Sequence, residues 1–208
     1  VITVAEERSI MVRERNPEKR ERFLSVALAL FAANGVQNTT TAEIAKVAGT
    51  ASGTLFLYFP TKLDLINELV LTITKTQSTF IKSLLDPSLS VRDTFHAIWD
   101  GSVRWFLDHM DAYRFAQQVR DSSLIEEAVV VETGTYFSFY YETIRRGLEE
   151  GSIKPYPIDM IGGFLFQEIV AMTEYIRQEA DATAREISIE QGFDLFWDGI
   201  TINQTRAG

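Results

Sequence analysis

Between residues 16 and 35 the chain repeats at helical spacing: Phe23, Ala27, Leu30 and Asn34 fall on one line, and Leu24, Leu28 and Phe31 broaden it into an apolar face. Asn16 suits an N-cap and Pro17 a first helical residue, where a missing N–H costs nothing. Gly35 can supply a left-handed stop, so the pattern predicts a packed helix of about 18 residues. Thr40 and Glu43 then stand at capping-box spacing, which satisfies two orphan N–H groups reciprocally. They open a short helix with Ile44, Ala45 and Ala48 turned inward and Gly49 at its end. A third segment, Ala51 to Phe59, is stopped by Pro60, which disfavours helix at the residue before it. Thr61 and Asp64 repeat the capping spacing and open a fourth helix with Leu63, Ile66, Leu69, Val70 and Ile73 as its apolar face.

Beyond residue 85 the pattern predicts five more helices, near 90–108, 111–121, 123–150, 157–180 and 185–203, with breaks at Asp86-Pro87, Gly151 and Pro155 to Pro157. No segment has strand alternation, so the expected class is all-α. The 123–150 helix would be about 40 Å long at 1.5 Å per residue and would form the long axis of the larger part.

Two short helices joined by a tight glycine turn and braced by a longer one predict a helix-turn-helix unit, with the third segment as its recognition helix. Ala45, Ala48 and Gly49 allow close helix crossing. Ala51, Ser52, Gly53 and Thr54 leave a low profile for approach to a groove. Helical hairpins with Ala and Gly also occur in plain bundles, so this pattern alone leaves both readings open.

Composition narrows the choice. The 208 residues are 46% hydrophobic and contain no Cys, which excludes a disulfide framework, a thiolate nucleophile and any cysteine-bearing metal or iron–sulfur site, and fits a reducing, cytoplasmic setting. The net charge is -9, yet it is uneven: residues 1–62 carry 8 basic and 6 acidic side chains, against 12 and 23 in 63–208. That asymmetry suits a small part that approaches an anion and a larger part that does not. The most apolar run, Phe23 to Ala33, is far shorter than the roughly 20 residues that cross a bilayer, so no membrane partner is expected. A secretory signal is disfavoured by Glu14, Glu18 and Glu21 in its would-be basic flank. Met11 is a possible biological start, with residues 1–10 as an extension.

The run Thr41-Ala42-Glu43-Ile44-Ala45-Lys46-Val47-Ala48-Gly49, then Gly53-Thr54-Leu55-Phe56-Leu57-Tyr58-Phe59, then Lys62-Leu63-Asp64-Leu65, preceded by Phe31-Ala32-Ala33-Asn34-Gly35, resembles the TetR family of transcriptional regulators over residues 18–66. The resemblance implies an all-helical homodimer with three parts: a flexible arm (1–15), a helix-turn-helix DNA-binding domain (16–62) and a helical ligand-binding and dimerisation domain (63–208). It implies binding to double-stranded DNA at an inverted repeat, and repression until an unidentified, largely apolar small molecule binds. By the same resemblance Thr41, Tyr58 and Lys62 match phosphate contacts, while Ser52, Gly53, Thr54 and Phe56 face base edges. The chain departs from the family in carrying Ala51 for a common Ser, the short Ser52 for a longer polar side chain, and Phe56 for Tyr. These changes shift expected readout toward DNA shape or toward Arg13 and Arg15 in the arm.

The later helices are crowded with aromatic residues. Trp99, Trp105, Phe137, Tyr141 and Phe164, with Gln167 beside them, are candidate pocket residues, the alternative for each ring being ordinary core. Gly162 and Gly163 permit close helix approach, and Phe193, Phe196 and Trp197 form a bulky stripe on the last helix. They are candidates for the dimer seam that the resemblance implies, the alternative being packing within one chain. His96 and His109 have no carboxylate partner at helical spacing, so neither a metal nor a cofactor is expected. With no phosphate loop and no ligand cluster an enzyme is disfavoured. A helical interaction or ligand-binding protein of the same fold that does not bind DNA remains the alternative function.

Overall fold

The computed structural model describes residues 16–120 and 122–202. The arm, including Met11, Arg13 and Arg15, lies outside the described residues. Ten helices occur among the described residues: α1 (Pro17–Asn34), α2 (Thr41–Val47), α3 (Ser52–Tyr58), α4 (Lys62–Ser83), α5 (Val91–Asp108), α6 (Met110–Val119), α7 (Glu127–Tyr136), α8 (Ser138–Glu149), α9 (Ile158–Ile176) and α10 (Ala182–Ile200). The only pairing outside them, among the described residues, is an isolated bridge between Ile153 and Thr201.

Local chemistry sets the ends of the first helices. Asn16 accepts from the N–H groups of Glu18 and Lys19, and Gly35 turns the chain at φ 91°. Thr40 accepts from Glu43 N–H at 3.1 Å. Before α4 the box is fully reciprocal: Thr61 N–H donates to the Asp64 carboxylate at 2.8 Å and Asp64 N–H to the Thr61 hydroxyl at 3.1 Å. The expected single helix over 123–150 is instead two. Phe137 takes φ -103°, ψ 24°, and a tight Tyr140 N–H to Phe137 carbonyl bond follows. Thr133, Gly134 and Thr135 just upstream are weak helix formers, so little local preference opposes the break.

The chain divides into two compact units. One takes the chain to Val70 together with Arg114–Glu126; the other comprises Leu71–Tyr113 and the chain from Glu127 on. Helices α4 and α6 each give residues to both, which is why no linker composition marks a boundary.

In the first unit Phe23, Ala27, Phe31, Ile44, Ala45, Leu55 and Leu65 are fully buried. The segment after residue 113 completes this core, with Phe115 stacked on Phe31 at 5.8 Å. Gln118 clamps the turn after α1: its carbonyl oxygen accepts from Val36 N–H at 2.7 Å and its amide donates to the Phe31 carbonyl at 3.0 Å. Asn67, 5% exposed, holds the other end of that segment, donating to the Leu124 carbonyl and accepting from Glu126 N–H. Gln118→Leu leaves the Val36 N–H without its partner, and an unmet buried donor costs about 1–3 kcal/mol. Urea denaturation of the variant is expected to show a loss of about 2 kcal/mol; an unchanged midpoint would mean the clamp is ornamental.

The second unit is built around α5, which is buried along most of its length, from Val91 to Phe106. Gly192 lets α10 press onto it, since a Cβ there would lie 2.7 Å from the Trp99 ring. An antiparallel register runs along the outside of the two helices, with Arg92 to Asp194 at 3.2 Å, His96 to Glu190 at 3.0 Å and Arg104 to Glu186 at 2.5 Å. His96 therefore does have a carboxylate partner, on a different helix. Exposed pairs of this kind contribute about 0–1 kcal/mol each and act chiefly as markers of register.

Candidate functional site

The first unit presents α3 as an exposed ridge. Leu55 is fully buried beneath it and Phe59 follows at 3% exposure, so the helix is anchored by one side and bare on the other. The bare side carries Gly53, Phe56 and Leu57, of which Phe56 is 43% and Leu57 65% exposed, with Ser52 and Thr54 half-buried beside them. A Cβ built on Gly53 would meet nothing within 4 Å. Ala51 in place of a hydroxyl leaves the first turn of α3 without a side-chain cap, and the residue serves that turn only through its backbone carbonyl, which accepts from Thr54 N–H at 2.9 Å. Thr41 opens α2 half-exposed, while Thr40 supplies the cap. Tyr58 packs its ring on Phe23 at 5.5 Å.

Lys62 is differently disposed. Its ammonium donates to the Val36 carbonyl at 2.5 Å and lies 5.7 Å from the centre of the Phe31 ring. Burial lowers its pKa below the usual lysine value. One of its three donors is thus spent within the chain, tying the start of α4 to the turn that Gln118 also holds. Lys46 at the end of α2 and Arg22 on α1 are exposed by contrast, and the Arg22 guanidinium reaches to 3.5 Å from where a Gly49 Cβ would stand, beside the turn between α2 and α3.

The second unit holds a cavity of about 270 Å³. Thr74 and Gln77 of α4, Ser102 and Phe106 of α5, Thr133 of α7 and Phe137 line it, with Tyr140 of α8 and Ile169 of α9. Val130, Tyr141 and Phe166 also line it and are each more than a third exposed, marking the open side. Ser102 donates to the Ile98 carbonyl at 2.6 Å and stands 2.9 Å from the Tyr140 hydroxyl. Burial pushes the Tyr140 phenol up to about 12, so it stays protonated and neutral.

Residues 23–69, from within α1 to within α4, match the family model described as bacterial regulatory proteins, tetR family. A TetR-family protein of Shewanella sp. PV-4 superposes with a TM-score of 0.82 at 26% identity, covering 89% of this chain and 99% of that one. The chain belongs to the TetR family of transcriptional regulators. Like other TetR-family members it is a DNA-binding regulator, with the helix-turn-helix made by α2 and α3. Among curated relatives it is similar to the transcriptional repressor KstR2 of Mycobacterium tuberculosis, 23% identical over 192 residues, 88% of this chain and 93% of that protein. It is also similar to the regulator AcrR of Shigella flexneri, 40% identical over 57 residues, which are 27% of this chain and 26% of that one.

Of the pocket residues expected from sequence, Phe137 and Tyr141 line the cavity of this TetR-family chain; Trp99, Trp105, Phe164 and Gln167 are not among its lining residues. Trp99 is fully buried and donates its indole N–H to the Ile189 carbonyl at 2.9 Å. Trp105 stacks on His109 at 4.3 Å, and Phe164 and Gln167 are exposed on α9. The residues expected at a dimer seam divide likewise. Phe193 and Phe196, at 0% and 1% exposure, are core of this chain and have no surface left for a second one, while Gly163 is exposed and Gly162 and Trp197 are half-buried. Sequence reading passed over Gln77, although it continues the spacing Ile66, Val70, Ile73 on the apolar face of α4. A polar side chain on an apolar face was its signal.

Proposed function

We propose that the chain is a homodimeric cytoplasmic repressor that binds an inverted-repeat operator and is released when a small, largely apolar molecule enters the cavity of the second unit. The observation that carries this is the bare side of α3, held up by buried Leu55 and offering hydroxyls and apolar groups of low profile. Thr54 and Ser52 can pair with base edges and Phe56 can touch a thymine methyl. Lys46 and Arg22, joined by Thr41 and Tyr58, suit phosphates, with Lys62 positioned to brace them. Two such helices in a symmetric dimer would sit about 34–36 Å apart, one DNA turn.

Support for a second copy comes from an uncovered face on the last two helices. Met160, Phe164 and Tyr175 on α9, and Ile187 and Leu195 on α10, are between 43% and 71% exposed, and within each helix their spacings are near whole numbers of turns. This face, with Gly163, replaces Phe193 and Phe196 as the proposed seam. Release by ligand requires only that the ligand prefer the conformation that binds DNA less well.

Selection from a random duplex pool at near-physiological salt tests the reading. An enriched inverted repeat is expected. On that site Lys46→Ala should weaken all sequences alike and flatten the salt slope by about one, whereas Thr54→Ala should cost about 1–3 kcal/mol at particular base pairs only. A folded dimer that enriches nothing would transfer the chain to the non-DNA-binding alternative.

A further inference from the structure

The cavity of the second unit states its ligand's chemistry through three features. First, among the described residues that line it none carries a charge. A carboxylate or phosphate bound there would lose its hydration with no counter-ion to replace it, which is costly in an apolar surrounding.

Second, Gln77, a residue only 8% exposed, lines the cavity, and its carboxamide has no hydrogen-bond partner among the described residues. Buried polar side chains are almost always paired, so one that is left open toward a cavity is a prepared contact. It offers one acceptor and two donors.

Third, the protons of the neighbouring hydroxyl pair can be counted. Ser102 has a single proton and gives it to the Ile98 carbonyl, so across the 2.9 Å contact Tyr140 must be the donor and Ser102 the acceptor. With its own proton spent, the Tyr140 oxygen retains acceptor capacity only. It can receive an N–H or O–H but has none to give.

Size sets the scale. A cavity of about 150 Å³ accommodates benzene, so 270 Å³ holds roughly ten to twelve non-hydrogen atoms on the same footing. Phe106, Phe137 and Tyr141 supply flat walls. A tetracyclic steroid or a long acyl chain would extend past this space through the open side at Val130, Tyr141 and Phe166.

We infer that the effector is a compact, uncharged, ring-bearing molecule with an amide or hydroxyl group that donates to Tyr140 and pairs with Gln77. This rests on the reading of the chain as a ligand-released regulator and names the ligand class of that reading. It implies that the cavity rejects the corresponding carboxylate.

Cinnamamide and cinnamate form the probe pair: they share the ring, the length and the number of heavy atoms, and at pH 7.5 differ in charge and in the N–H donors. Calorimetric titration of the full-length protein is expected to show cinnamamide binding at least tenfold tighter than cinnamate. Gln77→Leu and Tyr140→Phe should each weaken the amide five- to tenfold while leaving the melting curve near that of the parent; Gln77→Glu should weaken it at least as much by placing a charge in the cavity. Equal or tighter binding of cinnamate, no binding of either probe, or variants that bind the amide undiminished would each overturn the assignment. The same titration in the presence of operator DNA separates the two readings. Amide binding that leaves DNA affinity unchanged would retain the ligand class and remove the release mechanism.

Discussion

A Gly53→Leu variant is expected to melt at or slightly above the parent temperature and to lose about 100-fold in operator affinity, of the order of two mismatched base pairs. The two effects have opposite signs because the glycine serves nothing inside the chain. It lies in the second position of α3, is exposed, and has open space for a Cβ. A glycine within a helix costs about 0.8–1 kcal/mol relative to alanine, and leucine is nearly as good a helix former, so the fold gains by the change. On the proposed reading the glycine offers a bare backbone where the ridge meets a groove, and an isobutyl group there would hold the helix off the base edges. Thermal melting and a gel shift on the selected operator decide the matter. Undiminished binding would show that this stretch of α3 does not face DNA.

Trp99→Ala is expected to destabilise the second unit by about 3–5 kcal/mol, the range for removing a large buried aromatic side chain. Trp99 is fully buried, lies against Phe193 and Phe196 with ring centres at 6.4 and 6.2 Å, and donates to the Ile189 carbonyl. Gly192, which abuts the ring, has no side chain that could turn into the void, so closing it requires a shift of α10 itself. Such a loss is a large share of the 5–15 kcal/mol that holds a typical domain folded. Urea denaturation followed by far-ultraviolet circular dichroism measures it, and a loss below about 1 kcal/mol would mean that the surrounding helices collapse into the space.

The parts of this fold that could be read in advance are those with local causes. Asn16, Thr40 and Thr61 cap helices through atoms two or three residues away, and Gly35, Gly49 and Pro60 end them, so α1 to α4 follow from the order of residues alone. Phe31, Ile44, Leu55 and Phe59 are core as their spacing requires. The break at Phe137 had no such punctuation, and the stretch from 123 to 150 passes for one helix because its composition is helical on both sides. Which aromatic residue lines a cavity was beyond reach for a different reason. Helical spacing tells which residues share a face, but not which neighbour that face meets; thus Trp99 and Phe137, equally plausible by composition, went to core and cavity respectively. Likewise Phe193 and Phe196 form an apolar stripe whether the cover is α5 or a second chain. Lys62 illustrates the limit at the DNA-facing unit, where a cation at a helix start suits a phosphate or a carbonyl 26 residues away.

The reading head is discontinuous in sequence: its compact unit takes the first 70 residues and then Arg114–Glu126. Chimeras that exchange heads between regulators by a single cut after residue 70 would therefore transplant an unfinished object. Such a cut strands Val36 without Gln118, Phe31 without its stacking partner Phe115, and Asn67 without the backbone it binds at Leu124 and Glu126. The portable cassette has two pieces, and the second must travel with the first.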